Sequence, residues 1–238
     1  MSISVIVPTL DEEHLLSACL SSVRSQSVSA QLIVVDGGSS DGTQAIARAQ
    51  ADLVIELDAP ALAEQLNVGA SRATGDILVF LHADCQLTDG CLERIQTICK
   101  HANIIGGALT MHIQGNRASY KMLSFCGNVY CRLTGTLFGD RAMFIRRPAF
   151  ETLHGFRPLP IMCDVDLSHR MKRIGKTRLI PGPVLSSSRK FDHEPVWLSP
   201  LLILWALAAF RLGVPGERIR DRYYESYAHR SGRKAPLK

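Results

Sequence analysis

The sequence predicts an α/β fold built on a mostly parallel, doubly wound mixed sheet with a C-terminal helical tail. Two observations carry that reading. Three short apolar runs end on acidic or turn residues: Val5-Ile6-Val7-Pro8-Thr9-Leu10-Asp11-Glu12, Ile33-Val34-Val35-Asp36-Gly37-Gly38-Ser39-Ser40-Asp41-Gly42-Thr43, and Ile77-Leu78-Val79-Phe80-Leu81-His82-Ala83-Asp84. Apolar runs this short and continuous read as strands buried on both faces of a parallel sheet. Segments long enough for a helix separate them, and alternating βα units of this length indicate a doubly wound sheet. Ligands of such sheets bind in the crevice beyond the carboxyl ends of the strands. Three polar clusters at three strand ends therefore converge on one site.

Taken in order, a strand is expected from Ile3 to Val7 and a helix from Asp11 to Ser25. A second strand from Leu32 to Val35 leads to a helix from Gly42 to Gln50, where Asp41 suits the positive end of the helix dipole. A strand from Leu53 to Glu56, a helix from Ala61 to Ala73, a strand from Asp76 to Leu81 and a helix from Thr88 to Lys100 follow. After Ile104 the pattern becomes mixed, with short strands at Ala142 to Ile145 and Thr177 to Ile180. Helices are expected near Tyr120 to Leu133 and Val165 to Ile174. From Pro195 to Phe210 runs an uncharged apolar stretch, short of the ~20 residues that cross a bilayer and interrupted by Pro200. It reads either as a helix buried on the domain or in a homodimer through 196–212, or as an interfacial membrane helix. Trp197, Trp205 and the arginines that follow favour the interface. The expected division is a catalytic domain over 1–194 and an apolar, basic helical extension over 195–238.

With 46% apolar residues, the 238-residue chain can build one sizeable core. Its net charge is +5. The excess falls late, at Arg170, Lys172, Arg173, Lys176, Arg178, Arg189, Lys190 and again over 211–234. No nucleic-acid-binding motif accompanies it, so the charge suits a pyrophosphate or an anionic membrane surface better than a duplex. Seven cysteines lack C-x-x-C spacing, which supports neither a zinc site nor a disulfide framework. The first strand begins almost at Met1, so no signal peptide is expected. The expectation is a reduced, cytoplasmic protein, at the inner face of the membrane if the tail lies on one. No G-x-G-x-x-G follows the first strand, which argues against a dinucleotide-dependent dehydrogenase. Pro8-Thr9-Leu10-Asp11-Glu12 is not the Gly-rich, basic loop with which a nucleotidyltransferase opens.

The three clusters resemble the N-terminal half of glycosyltransferase family 2, the inverting nucleotide-sugar transferases of GT-A fold. Val7 to Glu12 is similar to the family's V-P-x-x-x-E opening, Val35 to Thr43 to its V-D-G-G-S-x-D-G-T segment, and Asp84 to the last acid of its D-x-D. Ala63 to Ala70 is similar to A-x-x-L-N-x-G, and Leu159 to Leu167 to the segment around E-D-V-x-L. Leu81 to Asp84, Gly139-Asp140 and Arg211-Leu212-Gly213 look like segments of the small bacterial transferases associated with radical-SAM, selenium or arsenosugar genes.

Sugar transfer from a nucleoside diphosphate needs a cradle for base and ribose, neutralisation of the departing diphosphate, and a base for the acceptor hydroxyl. The resemblance assigns the cradle to Asp36, which can accept from an imide or a ribose hydroxyl, with Pro8, Thr9 and Glu12 opposite and Asn67 nearby. Asp36 could equally be a turn former before Gly37-Gly38. Asp84 would hold Mn²⁺ or Mg²⁺ on the diphosphate, with Ala83 beside it and His82 as a metal ligand or an outer support where the family has its first acid. Asp164 would be the catalytic base. Cys163 replaces the acid that usually precedes it, and losing that like charge should let Asp164 ionise more easily. The alternative for Asp164 and Asp166 is helix capping. Asp140 and Cys163 fall on the acceptor side. Arg189 could clamp phosphate oxygens, with Lys190 and His193 close in sequence.

Glu64 stands where the resembling proteins usually carry basic residues, harmless if it points to solvent. The implied donor is a nucleoside diphosphate-sugar, most commonly of uridine, and the acceptor is an unknown small molecule or lipid. The competing reading is a catalytically degenerate nucleotide-sugar-binding module.

Overall fold

The computed structural model describes residues 1–191 and 198–231, and the side chains of all of these except 190–191 and 224–231. In chain order the elements begin β1 (Ile3–Thr9), α1 (Leu16–Arg24), β2 (Ala30–Asp36), α2 (Thr43–Gln50), β3 (Leu53–Glu56), α3 (Leu62–Arg72) and β4 (Ile77–Phe80). They continue with β5 (Cys85–Leu87), α4 (Cys91–Ile98), β6 (Ile104–Ile113), α5 (Ala118–Thr134), β7 (Met143–Arg146) and α6 (Arg147–Thr152). The last are α7 (Cys163–Ile174), β8 (Lys176–Ser186), α8 (Leu198–Arg211) and α9 (Gly216–Ser231). One sheet contains all eight strands in the order β3-β2-β1-β4-β7-β6-β8-β5. The first four are parallel, β7 runs antiparallel to both its neighbours, and β6 pairs parallel with β8.

The pleat sorts the apolar runs between two cores. Val5 and Val7 of β1 and Leu32 and Val34 of β2 pack with Leu16 and Leu20 of α1 and with Leu92 and Ile95 of α4. Ile6, Ile33 and Val35 face the other way, toward Leu66 of α3 and Leu167 and Met171 of α7. Register matters for function here. Thr9 pairs with Asp36, so β1 and β2 end level and their following loops meet.

Several expected boundaries move. The first helix starts at Leu16 rather than Asp11, because residues 10–15 are held in a turn in which Glu12 O accepts from the N–H groups of Leu15 and Leu16. Two strands escaped the sequence reading. β5 is only three residues long, and the apolar pattern of β6 is broken by Gly106-Gly107. Side chains at those glycines would run into backbone of β7 and β8, so the break in the pattern is the condition for strand pairing. β8 extends past the expected Ile180 through Pro181-Gly182-Pro183, and a register shift between Leu109 and Met111 absorbs the irregularity. Pro200 does not interrupt the apolar helix: it lies in the first turn of α8, where proline is tolerated.

α8 and α9 pack together through Ala206, Ala209 and Ile219, and this pair rests on Ile161 and Met162 just ahead of α7. Leu201, Leu204 and Leu212 stay exposed, and the Arg222 guanidinium lies 5.7 Å above the Trp205 ring. Trp197 lies outside the described residues. No helix among the described residues is long and apolar enough to cross a membrane.

Gly69 sets how closely α3 can lie on the sheet, because a Cβ there would collide with Ile6 and press on Val35. Alanine gains ~1 kcal/mol of helix propensity over glycine, while forcing a methyl into a packed core costs about 1–3 kcal/mol. The collision should win. Gly69→Ala is expected to lower the urea midpoint without changing the slope, and a raised midpoint would show that α3 can retreat.

Candidate active site

The site is assembled where β1, β2 and β4 end. Asp36, the last residue of β2, is buried, and its carboxylate accepts from Thr9 Oγ1 at 2.9 Å, Ser39 N at 2.9 Å, Gly38 N at 3.2 Å and Gln44 Nε2 at 3.0 Å, with Ser39 Oγ closer still. Burial pushes its pKa up, but the Ser39, Gln44 and Thr9 donors outweigh that and hold it below the usual carboxylate range. The turn-forming role weighed from the sequence is thus plainly present: Asp36 folds residues 37–39 back over the strand end. A ligand donor would reach this carboxylate by sharing it with those groups.

The two loops are stitched to each other as well. Asp11 Oδ1 accepts from Ser40 N, Glu12 N donates to Thr43 Oγ1 at 2.8 Å, and Glu13 Oε2 accepts from Gly42 N. Asp41 accepts from Thr43 N at the start of α2, as its place before the helix suggests. Gln65, not singled out in the sequence, closes the base of this corner. Its buried amide donates to Thr9 O and Val35 O, both at 2.9 Å, and so holds β1 and β2 ends together from α3. Its signal was its position inside the A-x-x-L-N-x-G segment, where an amide between apolar neighbours needs backbone partners.

Beyond β4, Leu81 N still bonds to Ile6 O, and the chain then turns through His82 and buried Ala83 to Asp84. Arg189 arrives from the opposite end of the sequence. Its Nη2 lies 2.8 Å from Oε1 of Glu12, a carboxylate that is almost wholly buried. Burial works against the Arg189 charge, but Glu12 first and Asp84 second hold the guanidinium firmly protonated. The backbone of this segment is fixed too, since Ser187 N donates to Asp84 O at 3.0 Å. Glu12, Asp84 and Arg189 therefore form one charged corner. The side chain of Lys190, and all of His193, lie outside the described residues.

Asp164 sits in the first turn of α7. Its Oδ2 accepts from Gly139 N at 2.7 Å and its Oδ1 from Val165 N at 2.8 Å. Desolvation raises its pKa above the ordinary carboxylate value, despite the two N–H donors and the nearby His82. Losing the neighbouring acid at Cys163 matters less than desolvation. Cys163 itself is buried, and burial pushes its thiol far up, which leaves it uncharged. Asp166 has the structural role. It takes Arg170 Nε at 2.6 Å and Arg157 Nη1 at 3.3 Å, while Arg170 also caps Leu153 O and Gly155 O.

Pro8, His82, Gly139, Cys163 and Asp164 line a single narrow hollow. His82 belongs to the Asp164 side of it, since a side chain at Gly139 would press on His82 Nε2. Asp140, in the 3-10 turn Gly139–Arg141, is about half exposed beside buried Arg141. Asn67 is tied to the segment that follows α6. Both ends of its amide bind the backbone of Phe156, at 2.8 and 2.9 Å, and Phe156 in turn lines the hollow. Glu64 is exposed, the harmless arrangement.

Residues 4–156 match the family described as Glycosyl transferase family 2, more than half of the chain. The chain belongs to glycosyl transferase family 2. It is similar to glycosyltransferase AglE of Haloferax volcanii (34% identity, covering 44% of this chain and 38% of AglE). It is also similar to a PGL/p-HBAD biosynthesis glycosyltransferase of Mycobacterium bovis (36% identity, covering 43% of this chain and 41% of that protein). The chain thus spans about two-fifths of the length of these relatives. Among solved structures it superposes on S. aureus TarS 1–349 in complex with UDP-GlcNAc at TM-score 0.61, with 18% identity over 79% of this chain and 59% of that one. It also superposes on the mannosyltransferase PcManGT from Pyrobaculum calidifontis in complex with GDP-Man and Mn²⁺ at TM-score 0.62, with 23% identity over 79% and 57% of the two chains. The family 2 fold, GT-A, is the one read from the sequence.

Because Asp36 is ionised against several donors, its removal should show in stability as well as in ligand binding. A carboxylate with a depressed folded pKa stabilises above its unfolded pKa and loses that contribution as pH falls. Asp36→Ala should cost at least about 2 kcal/mol near neutral pH, by leaving charge-accepting donors unmet, and the deficit should shrink below the ordinary carboxylate pKa. Calorimetry across pH checks this, and a pH-independent deficit would contradict it.

Proposed function

We propose that the chain transfers a sugar, with inversion, from a nucleoside diphosphate-sugar to an acceptor hydroxyl, with Asp164 as the base. The observation that carries this reading is the shared hollow lined by Asp164 of α7, Pro8 of β1 and His82, which lies just past β4 and two residues before Asp84 of the Glu12–Asp84–Arg189 corner. A half-buried carboxylate whose pKa desolvation has raised is a stronger base, once ionised, than a fully exposed one. Its two N–H partners hold the carboxylate in place. A uridine diphosphate-sugar is the first donor to test and a guanosine one the second, in keeping with the ligands of the two structural neighbours.

The residues fit a divalent cation of limited kind. No group of three or more ligating side chains that could hold a metal appears among the described residues. Asp84 offers a hard oxygen at the charged corner, where Glu12 is engaged with Arg189, and Mg²⁺ or Mn²⁺ binds through one or two carboxylates when substrate phosphates complete its shell. Asp84 would hold the ion, which when bound supplies charge neutralisation for the leaving diphosphate. His82 lies nearer the base than this corner and is proposed to orient and electrostatically support Asp164. Arg189 would exchange Glu12 for diphosphate oxygens, and Asp36 with Thr9 would frame the nucleoside. Asp140 and Cys163 remain on the acceptor side of Asp164. The subtype reading, with the transferases of selenium and arsenosugar gene neighbourhoods, rests on the 81–84, 139–140 and 211–213 segments. The proposed domain division keeps residues 1–194 as the catalytic part and 195–238 as the extension.

The location proposed is the cytoplasmic face of a membrane, reached through the exposed Leu201, Leu204 and Leu212 with the arginines of α9. Co-sedimentation with anionic vesicles at low salt should be lost in Leu201→Ser/Leu204→Ser. Binding that survives this change, or no binding by the unaltered protein, defeats the membrane reading.

Asp164→Asn should reduce transfer by about 10²–10⁴-fold while nucleotide affinity in Mn²⁺ stays the same. Its stability trend has a definite sign. An Asp with a raised folded pKa is most favourable when protonated, and that advantage disappears as pH rises through the folded pKa, so the deficit of the Asn variant, whose one amide oxygen can accept from only one of Gly139 N and Val165 N, should shrink as pH rises. The acid limb of transfer should likewise lie above the ordinary carboxylate pKa. Asp84→Ala should abolish the Mn²⁺ dependence of nucleotide binding in a thermal-shift titration. Nucleotide-sugar binding with neither donor hydrolysis nor transfer would instead identify a binding module.

A further inference from the structure

Three helices end in the same way. The last turn of α5 carries Arg132-Leu133, that of α7 carries Arg173-Ile174, and α8 closes on Arg211 with Leu212 just beyond. Cations complement the negative C-terminal end of a helix dipole, which accounts for the arginines but not for their apolar neighbours. Leu133 is 82% exposed, Leu212 83% and Ile174 45%. The first two are the most exposed large apolar side chains among the described residues.

The three ends meet. Lys172 Nζ of α7 donates to Thr134 O at the end of α5 at 2.9 Å, and its side chain lies close over Gly135. His169 Nε2 is 3.4 Å from Thr136 Oγ1 on the same segment. Residues 169, 172 and 173 are spaced to share one face of α7. Arg211 comes from α8, which rests with α9 on Ile161 and Met162 just ahead of α7. Burial first, then Lys172 and Arg211, hold the His169 pKa below the ordinary imidazole value, and burial with Arg211 holds Lys172 below the usual amine range. Arg173 adds to the pressure on His169. Asp166 opposes it, but that carboxylate is engaged with Arg170 and Arg157. Lys172, Arg173 and Arg211 have no carboxylate within ion-pair distance among the described residues. Uncompensated cations gathered here call for an anion, and the aliphatic side chains around them select one attached to hydrocarbon.

We propose that the ends of α5, α7 and α8 form a binding site for the phosphate of an anionic phospholipid, held by His169, Lys172, Arg173 and Arg211, with Leu133, Ile174 and Leu212 at the acyl boundary. The site deepens the membrane-face reading, yet it can be tested with no membrane present. It is separate from the sugar-transfer site: Lys172 stands eight residues beyond Asp164 on α7, about 12 Å along the helix axis. A phosphate among these cations favours the charged imidazole. Binding therefore takes up a proton at His169 and strengthens as pH falls through the imidazole range.

The probe is dihexanoyl phosphatidylglycerol below its micellar concentration, titrated calorimetrically into the full chain beside dihexanoyl phosphatidylcholine and dimethyl phosphate. All three carry a phosphodiester whose charge is constant over this pH range. The phosphatidylglycerol is expected to bind saturably and more tightly than either of the others. Arg211→Gln should weaken it about tenfold, the order of one charge-assisted contact, and Leu212→Ser should weaken it to a similar degree. Both residues are exposed, so neither change threatens folding. His169→Gln should remove the pH dependence of the affinity. UDP affinity in Mn²⁺ should be unaltered in Arg211→Gln, and a fall would overturn the separation of the two sites. No saturable binding of the phosphatidylglycerol, equal affinity for the phosphatidylcholine, or equal affinity in parent and Arg211→Gln overturns the proposal. Dimethyl phosphate bound as tightly as the lipid overturns the lipid as the source of the phosphate. A pH dependence that survives His169→Gln overturns the proton coupling. Short-chain lipid bound as expected by a protein that fails to co-sediment with anionic vesicles would defeat the membrane location and leave the site standing.

Discussion

Asp164 can hold its carboxylate at the cleft because the chain opposite it has no side chain. Gly139 donates its N–H at 2.7 Å, and a Cβ at that position would press on His82 Nε2 and approach Asp164 Oδ2. Everything around this contact serves to keep the 135–141 segment against α7. Ser168 Oγ takes Leu137 N and donates to Gly135 O, and Lys172 Nζ caps Thr134 O. The backbone is bent sharply on both sides, with Ala142 at φ 46° and Met162 at φ 63°. Left-handed conformations at non-glycine residues cost of order 1–3 kcal/mol each and cluster at functional sites. Here they allow β7 to begin just after the turn and α7 to begin just before Asp164. The result is a carboxylate whose position is overdetermined and whose burial keeps it a proton acceptor.

The donor corner is organised on the opposite principle. There the Arg189 guanidinium is shared between the carboxylates of Glu12 and Asp84. Glu12 is nearly inaccessible, and breaking a buried ion pair by removing one partner is far costlier than the pair is worth. Arg189 can therefore leave Glu12 only if something replaces its charge. A diphosphate alone would add negative charge to a corner already holding Glu12 and Asp84. In the proposed reaction a divalent cation held by Asp84 would supply positive charge at this corner and free Arg189 for the diphosphate. The charges of these three residues would then couple metal and nucleotide.

Much of this was legible in the sequence wherever one residue type had one physical use. The strands ending at Thr9, Asp36 and Phe80 were visible because parallel strands buried on both faces must be continuously apolar, and the polar residues after them then had nowhere to be but the strand ends. What escaped depended on partners distant in sequence. β6 was hidden because Gly106-Gly107 answers the backbone of β7 and β8, which no local pattern records. Asn67 bonds through both ends of its amide to Phe156, 89 residues on, a partner that no local pattern reveals. The desolvation that raises the Asp164 pKa is likewise tertiary, whereas the missing acid at Cys163 is a local feature.

The A-x-x-L-N-x-G segment shows how a sequence signature can mark a site without touching a ligand. Gly69 lets α3 lie against Ile6, Gln65 joins the ends of β1 and β2, and Asn67 positions Phe156. Between them Leu62 and Leu66 face the hollow with Phe80, Met143 and Phe156. Glu64, pointing to solvent, leaves this face of α3 apolar where the sequence resemblance led one to expect cations. In the proposed reaction a wall without charge would not share the diphosphate with Arg189, and the load would fall on the guanidinium and on an ion held by Asp84. An apolar wall does stiffen the hollow and exclude water from the Asp164 side. If Asp164 is the base, as proposed, the same absence of basic residues that would weaken the hold on the leaving group would help to keep that carboxylate desolvated.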